Sequence, residues 1–397
     1  MGKPPSYRIN LRPYRILFFP LLLPVALLLA LFNKLSPVPF KLYDLRMERI
    51  GQMASNQEEI LCALELGLLP REFRVFVHRD HPSNRTLLQM QKRVMPIHNW
   101  LLPLFDVCQK LGGLGVSSKE LTRLTGRDEL QVLDRTKPHL SFSEAELAEA
   151  HRQCAALGID PAKPIVPVLG RDTAYLSHIG EPTDQDSYRN VDINTYIPAM
   201  EYSADKGFQV VRMGSVVRNR LEANHPSIWD YSTSGKRTEL LDVYFSSTCR
   251  FFLTCGSGPD SIAAFCFRLP ILYANYIPLS FVPALTSKSM VILKKYWHTK
   301  EERYLTLSEM LAGNRPDMLL PSQLTPLGIV VHDNTPEEIL EATMELDARI
   351  DGTWKETEED RELQRAFWTL YEQRWPGLKH SCRVGAAFLR NNPFFTK

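Results

Sequence analysis

A glycine-rich turn near the middle of the chain offers the clearest chemistry in the sequence. Residues 256–259, GSGP, follow the apolar stretch FFLTC and precede a helical stretch that begins at Asp260. Glycine lets a ligand approach the backbone closely, and the first turn of a helix presents unpaired N–H groups to a phosphate. The turn therefore predicts a diphosphate site. A tight βα turn without a ligand is the alternative, and the pattern alone does not decide between them.

Two arginines strengthen the diphosphate interpretation. Arg171 and Arg212 each come at the end of a predicted strand. Ligands of an open parallel sheet collect at the carboxyl ends of its strands, where guanidinium groups pair with phosphate oxygens. Each arginine alone is more typical of a surface ion pair. Asp230 and Tyr231 lie in a nearby loop, where a turn aspartate with a packing tyrosine is the alternative to a ligand contact.

Two other patterns resemble metal sites. Asp184 and Asp186 match a D-x-D pair, whose carboxylates suit Mg or Mn. They follow GEPT instead of ending an apolar strand, which favours a solvated loop. His78 and His81 follow a predicted strand without an evident third ligand, which favours a loop cluster. We therefore expect no metal and no cofactor. The chain also lacks the G-x-S-x-G, P-loop and G-x-G-x-x-G patterns, which weakens hydrolase, nucleotide triphosphatase and dinucleotide interpretations.

The elements that must position these residues alternate between strands and helices. This alternation predicts an α/β fold with parallel sheets covered on both faces. In the first half we predict strands in residues 41–50 and 74–78 and helices in 52–69, 86–93, 100–111 and 143–157. In the second half we predict strands in residues 164–170, 208–214, 251–256, 270–275 and 328–334 and helices in 193–206, 239–246, 260–267 and 336–350. The capping box that starts at Thr335 marks the last helix.

Composition limits the class of protein. The chain has 397 residues, enough for two α/β domains, and 44% hydrophobic with 23% charged residues is typical of a globular protein. A net charge of +2 provides no overall field to attract nucleic acid, so we expect no nucleic-acid partner. The seven scattered cysteines contain no C-x-x-C pair and indicate reduced thiols on the cytoplasmic side.

The N-terminal segment is strongly apolar. Residues 16–32 carry no charge, and a helix of that length reaches roughly 25 Å, the short limit for crossing a bilayer. Pro20 and Pro24 favour a kinked or re-entrant helix. Basic residues precede the run, which keeps the N-terminus cytoplasmic. We expect a membrane-embedded hairpin with both flanks inside the cell, a detachable anchor whose deletion would release a soluble folded enzyme. A cleaved signal peptide is the alternative, although no small-x-small site follows.

We therefore divide the chain into four parts. Residues 1–35 are the membrane anchor, residues 36–158 an N-terminal Rossmann-like domain, and residues 159–376 a C-terminal Rossmann-like domain. Residues 377–397 are a C-terminal tail, for which a return to the N-terminal domain is open.

Seven motifs resemble a family of bacterial glycosyltransferases of surface-polysaccharide biosynthesis. They are MERIGQMASNQEE at 47–59, GRDTAYL at 170–176, YRNVDINTY at 188–196, VVRMGS at 210–215, WDYSTS at 229–234, LLDVYFSSTCRFFLTCGSGPD at 240–260 and LPILYAN at 269–275. The resemblance implies a GT-B architecture, in which two Rossmann-like domains face a cleft. It also implies a nucleotide-sugar site in the C-terminal domain and an acceptor site in the N-terminal domain. One position departs from the family pattern: Gln52 stands where a histidine usually follows Arg-Ile-Gly.

The resemblance assigns roles residue by residue. It implies that arginine and helix-dipole charge, without a metal, stabilise the leaving diphosphate. Catalytic roles fall on Arg171 and, at the cleft, on Arg49, Gly51 and Gln52. Donor phosphates would contact Arg171, Arg212, Ser257 and Gly258, and the donor would also contact Asp230 and Tyr231. The other expected substrate-binding positions are Asp172, Arg189, Gly214, Gly256 and Asn275.

These expectations describe a glycosyltransferase at the cytoplasmic face of the inner membrane. It would move a sugar from a nucleotide-sugar donor to a lipid-linked or polysaccharide acceptor, and the anchor would confine enzyme and acceptor to one surface. Two alternatives remain open. A nucleotide-sugar 2-epimerase shares the architecture but gives no reason for an anchor. A non-catalytic, membrane-tethered scaffold would explain Gln52.

Overall fold

The computed structural model describes residues 12–79, 81–118, 128, 130–174, 177, 187–377 and 379–397. Its internal contacts divide the chain into an N-terminal unit, residues 2–143, and a C-terminal unit, residues 144–397. Asp184 and Asp186 lie outside the described residues, so the structure says nothing about the D-x-D pattern.

The N-terminal unit contains a parallel sheet covered by helices, as the sequence predicts. Its three described strands run in the order β2-β1-β3. The register pairs Phe40 with Phe73 and Leu42 with Ser117. The strands are β1 (Phe40–Asp44), β2 (Phe73–Val77) and β3 (Ser117–Ser118). The helices are α1 (Arg12–Leu35), α2 (Ile50–Glu65), α3 (Arg85–Val94) and α4 (Leu102–Lys110).

Helix α1 differs from the detachable anchor that the sequence suggests. It continues as one helix through Pro20 and Pro24. One face packs into the core of the N-terminal unit, where Ala26 is buried against residues of β1 and α4. At its end, the Asn33 amide donates to the Phe40 carbonyl over 2.8 Å and accepts from the Phe40 N–H over 2.7 Å. Among the described residues, no helix is long and apolar enough to span a membrane.

The C-terminal unit is built on a seven-stranded parallel sheet in the order β13-β9-β8-β7-β4-β5-β6. Numbered from β4 along the chain, this order reads 7-6-5-4-1-2-3, which contains the doubly wound Rossmann order. The strands are β4 (Ile165–Leu169), β5 (Gln209–Arg212), β6 (Ile228–Asp230), β7 (Phe252–Thr254), β8 (Ile271–Tyr276), β9 (Ser289–Leu293) and β13 (Arg383–Val384). The four strands predicted from residues 164–275 all lie in this sheet.

The predicted strand at residues 328–334 forms, but in a different sheet. It becomes β12 (Ile329–His332), which pairs antiparallel with β10 (Lys295–His298), and β11 (Arg303–Tyr304) completes this small sheet. The expectation that it extends the parallel sheet was wrong. That edge is occupied by β9 and β13 instead, both of which lie outside the predicted strands.

Helices cover the large sheet. Thr335 caps one of them through a complete capping box, as the sequence predicts, because its side chain accepts from the Glu338 N–H. The helices are α5 (Glu144–Leu157), α6 (Ile197–Asp205), α7 (Glu239–Ser247), α8 (Leu307–Met310), α9 (Pro321–Leu324), α10 (Pro336–Ile350), α11 (Glu358–Arg374) and α12 (Ala386–Asn391). A five-residue π-helix, Ile262–Cys266, replaces the α-helix predicted at 260–267.

The boundary between the units precedes α5, whereas the sequence analysis placed it after this helix. Contacts tie α5 to the C-terminal unit: Gln153 Oε1 accepts from Thr238 Oγ1 over 2.6 Å, and the His151 ring packs edge-on against Tyr244. The last residues also pack on the C-terminal unit, where β13 pairs with β9 and the Ala386 N–H donates to Glu345 on α10.

Candidate functional site

The candidate site lies where the order of the parallel sheet reverses. Strands β4 and β7 are neighbours, and successive strands then proceed outward in opposite directions from this pair. Loops at such a switch point diverge and leave a crevice at the carboxyl ends of the strands, which is where doubly wound sheets bind ligands. Residues 170–172 follow β4 and residues 255–258 follow β7. The fold therefore places both predicted phosphate-binding segments at one crevice.

Hydrogen bonds hold these two segments together. The Arg171 N–H donates to Cys255 Sγ over 3.2 Å, which joins the two strand ends directly. Arg189 comes from a 3₁₀ turn, Ser187–Arg189, and its Nη2 donates to the Gly256 carbonyl over 2.6 Å. Arg171 and Arg189 are both half-buried. The guanidinium group of Arg189 thus contacts the loop that carries the glycine-rich turn, and the backbone of Arg171 is joined to the same loop.

The glycine-rich turn is organised around the buried carboxylate of Asp260. Asp260 Oδ2 accepts from the Ser257 N–H over 2.6 Å and from Thr254 Oγ1 over 3.0 Å. The Gly256 N–H in turn donates to Thr254 Oγ1 over 3.1 Å. Burial raises the pKa of Asp260 to about 6, and these hydrogen bonds oppose that rise. The carboxylate thus fixes the shape of the turn.

This arrangement changes the predicted role of the turn. The sequence analysis expected free N–H groups at a helix N-terminus, but Asp260 accepts the Ser257 N–H and the helix that follows is only a five-residue π-helix. A short helix provides little dipole charge. Of the predicted donor residues, Arg171 and Arg189 are the half-buried cationic ones near this turn, and half-buried Ser257 and Gly258 form the adjacent backbone surface.

Two glycines at the switch point have no room for a side chain. Gly256 has φ +87°, and a Cβ there would lie 2.8 Å from Cε2 of the buried Tyr276 ring. A Cβ on Gly170 would lie 3.0 Å from Val191 Cγ2. Gly256 therefore requires glycine for its backbone conformation as well as for space, whereas Gly170 is restricted only by the packing of neighbouring side chains.

Arg212 lies at the end of β5 but is sealed from solvent. Its side chain is 2% exposed, and its Nη1 lies 3.0 Å from Asp230 Oδ2 on the adjacent strand β6. Asp230 Oδ2 also accepts from the Leu221 N–H over 3.2 Å. Burial alone would raise the pKa of Asp230, but hydrogen bonds from Ser232 and Leu221 and the charge of Arg212 outweigh it and lower that pKa. The structure thus pairs two residues that the sequence analysis assigned separately to the donor.

Three further predicted residues support the loops. Tyr231 is fully buried, and its hydroxyl accepts from the Thr238 N–H over 2.8 Å. Asp172 accepts from the Ala174 and Arg218 N–H groups, both over 2.8 Å, and so ties the loop after β4 to the loop after β5. Gly214 has φ +152° and lies in that second loop.

Asn275 is also internal. It is 0% exposed, its N–H donates to Asn334 Oδ1 over 2.6 Å, and its amide donates to the Tyr196 hydroxyl over 3.2 Å. This network joins β8 to the turn before α10. Asn275 is therefore a buried link between the internal strand β8 and the turn that precedes α10.

The sequence analysis missed a buried lysine beside the site. Lys294 follows β9 directly, is 2% exposed, and donates to Asp333 Oδ1 over 2.6 Å and to the Asn190 carbonyl over 2.9 Å. It therefore holds the residue next to Arg189. The signal was available, since residues 289–293, SMVIL, form an apolar run that ends at a lysine pair.

In the N-terminal unit, the predicted residues lie at the start of α2. Arg49 is the exposed residue that precedes the helix, and Gly51 and Gln52 are half-buried in its first turn. Because α2 follows β1, these three residues lie toward the carboxyl edge of the sheet of that unit. The structure thus groups them within the N-terminal unit.

Comparisons with known proteins give matches only among solved structures. No protein-family model matches the sequence, and no curated protein sequence matches it. The chain is similar to a glycosyl transferase of family 9 from Veillonella parvula DSM 2008, with 12% identity, a TM-score of 0.43 and coverage of 64% of this chain and 86% of that chain. It is also similar to the E. coli ADP-heptose LPS heptosyltransferase II, with 15% identity, a TM-score of 0.36 and coverage of 64% and 90%.

Proposed function

We propose that the protein is a glycosyltransferase that binds a nucleotide-sugar donor at the switch point of its C-terminal sheet. One observation carries the proposal: Arg171 and Arg189 lie beside the G-S-G-P turn, where the loops that follow the paired strands β4 and β7 diverge. A crevice of this kind accepts the diphosphate of a nucleotide, and half-buried guanidinium groups pair with phosphate oxygens more strongly than exposed ones. The motif resemblance to bacterial glycosyltransferases supports the same substrate class.

The proposed chemistry depends on charge at the leaving group. As the bond between the sugar and the diphosphate breaks, the diphosphate gains negative charge, and a fixed cation next to it stabilises the transition state more than the ground state. Arg171 and Arg189 would supply that charge. Transfer would therefore need no divalent metal at the donor.

A panel of nucleotide sugars tests this proposal. Purified full-length protein is incubated with each donor, and release of nucleoside diphosphate is measured with and without a membrane-lipid extract as acceptor source. We expect one donor to release its nucleoside diphosphate and Arg189→Ala to abolish the release, whereas Arg365→Ala, an exposed arginine on α11, leaves it unchanged. Conversion of the free donor into its epimer would favour the epimerase, and binding without turnover would favour the scaffold.

We also propose that α1 holds the protein on the cytoplasmic face of the inner membrane. The face of α1 opposite the core exposes apolar side chains, including Leu28 at 67% and Leu35 at 78%. A continuous apolar helix face of this kind suits the interface of a bilayer. Four basic residues precede the apolar run 16–32 in the sequence, and their charge complements anionic lipid headgroups. They are Lys3, Arg8, Arg12 and Arg15. The acceptor would then be lipid-linked.

Vesicle binding tests the membrane proposal. The double variant Leu28→Ser, Leu31→Ser removes exposed apolar area from α1, so binding to phosphatidylglycerol vesicles should fall more than tenfold. The matched control, Leu327→Ser with Met344→Ser, alters two exposed apolar side chains of the C-terminal unit and should bind as the wild type does. If both double variants bound phosphatidylglycerol vesicles as tightly as the wild type does, α1 would be ruled out as the membrane contact.

A further inference from the structure

A compact group of metal-ligating side chains lies in the N-terminal unit. Glu58 and Cys62 are four residues apart and so lie on one face of α2, and His139 approaches them from the segment after a 3₁₀ turn, Leu133–Arg135. One atom from each of the three side chains lies within 4.8 Å of the others. Glu58 is 1% exposed and Cys62 0% exposed, so the group is largely shielded from water.

The distances are close to those of a tetrahedral zinc site. Cys62 Sγ lies 3.8 Å from Glu58 Oε1, and His139 Nδ1 lies 2.8 Å from the same oxygen. Zinc bonds of about 2.3 Å to sulfur and about 2.1 Å to nitrogen or oxygen place tetrahedral ligand atoms roughly 3.4–3.6 Å apart. For the three atoms to surround one ion, Nδ1 and Oε1 would move apart by about 0.6 Å and the proton of their present hydrogen bond would be released.

Neighbouring side chains already form hydrogen bonds with His139 and Cys62. His139 Nε2, the nitrogen that does not contact Glu58, lies 3.0 Å from Glu65 Oε2. A carboxylate at the distal nitrogen is the usual partner of a metal-bound histidine, since it fixes the tautomer and the ring orientation. Thr136 Oγ1 lies 3.0 Å from Cys62 Sγ, where its hydroxyl can support a thiolate. These contacts orient both Nδ1 and Sγ toward Glu58.

We propose that Glu58, Cys62 and His139 bind a zinc ion. One thiolate, one imidazole and one carboxylate form a mixed ligand set that zinc accepts readily and that Mg or Ca does not favour. The fourth position would be taken by water, which enters beside the 19% exposed His139 ring. The ion would tie α2 to the segment around Thr136 and His139, and so would hold the helix whose first turn carries Gly51 and Gln52. It would stabilise the unit and take no part in sugar transfer.

The first test is the metal content and spectrum of the full-length protein. Protein purified without chelators should contain about one zinc per chain. Replacement by Co²⁺ should give a thiolate-to-cobalt charge-transfer band. Cys62→Ala should remove both the zinc and the band, whereas Cys108→Ala, an equally buried cysteine of the same unit, should keep them. His139→Gln should behave like Cys62→Ala.

A milder variant distinguishes weaker zinc binding from a loss of folding. Glu65 is half exposed and contacts the distal nitrogen of His139, so Glu65→Gln should fold and yet weaken zinc binding roughly 10–100-fold in competition with a chelator. Protein free of zinc that shows no charge-transfer band when Co²⁺ is added would overturn the proposal. In that case His139 would simply bridge two carboxylates. Zinc retained at full stoichiometry by Cys62→Ala would overturn it equally.

Discussion

Two regions of one sheet edge carry the same residue types and use them differently. At the switch point, Arg171 and Arg189 are half-buried in loops beside the glycine-rich turn. One strand further out, Arg212 is 2% exposed and paired with Asp230 on the neighbouring strand. The structure therefore assigns Arg212 to the fold, whereas the ligand role of the more exposed Arg171 and Arg189 is our proposal.

The largest expected effect is on the sealed pair. Arg212→Met leaves Asp230 without its buried partner, and we expect a loss of about 3–5 kcal/mol in the unfolding free energy of the C-terminal unit. The double variant Arg212→Met, Asp230→Leu should recover most of that loss, because no lone charge remains. Urea unfolding measures both. If Arg212→Met weakened nucleotide binding without changing stability, Arg212 would belong with the ligand-binding arginines.

The buried carboxylate under the turn should make stability depend on pH. The pKa of Asp260 is about 6 in the folded protein and 3.8 ordinarily, so between those pH values the folded state retains a proton that the unfolded state releases. Its contribution to stability is thus present at low pH and lost as pH rises through 6. Asp260→Asn mimics the protonated form, so its stability relative to wild type should rise by about 3 kcal/mol between pH 3.5 and pH 7.

The measurement is urea unfolding of wild type and Asp260→Asn at a series of pH values. Using the difference between the two proteins cancels the other groups that titrate in this range. A difference that stays constant with pH would mean that the carboxyl of Asp260 has the same pKa in the folded and unfolded states, so that burial does not raise it.

The switch-point arginines should affect binding more than folding. Arg171→Ala removes charge-assisted hydrogen bonds to the diphosphate, so nucleoside-diphosphate affinity should fall by about 1.5–3 kcal/mol, or roughly 10–150-fold. Thermal unfolding of the ligand-free variant should stay near that of wild type. Calorimetric titration of Arg171→Ala beside Arg365→Ala separates a site effect from a general effect of charge. Equal affinities in these two variants would remove Arg171 from the site.

The smallest effect separates backbone strain from steric contact. Gly256 and Gly207 have nearly the same φ, +87° and +86°, but only Gly256 has a neighbour, Tyr276, that a Cβ would strike. Gly207→Ala should cost about 1 kcal/mol and Gly256→Ala about 1–2 kcal/mol more. Chemical denaturation compares them. Equal losses would mean that the Tyr276 ring moves aside freely.

The sequence predicted the elements well where an apolar run is bounded by turn residues. Strands β4, β5, β7 and β8 follow this pattern, and the residues after β4 and β7 meet at one crevice because parallel strands share a carboxyl edge. The strand at 328–334 has the same pattern yet lies in a small antiparallel sheet. Its partner, β10, was not predicted, and a strand pattern alone does not reveal which strand it pairs with.

The roles of side chains were harder to predict than their location. That Arg212 pairs with Asp230 depends on the register between β5 and β6, which no local pattern contains. Likewise, the approach of His139 to Cys62 joins positions far apart in the chain, so a search for closely spaced cysteines and histidines overlooks it. The Asp260 side chain that accepts the Ser257 N–H could have been suspected from its position three residues beyond the serine.

The central claim is that a nucleotide diphosphate binds at the switch point through Arg171 and Arg189. The most direct test is calorimetric titration of a panel of nucleoside diphosphates into wild-type protein and into the Arg171→Ala, Arg189→Ala double variant, without added divalent metal. We predict that one nucleoside diphosphate binds wild type and that the folded double variant binds it at least roughly 100-fold more weakly. Binding that requires Mg or Mn, or equal affinity for both proteins, would contradict the account.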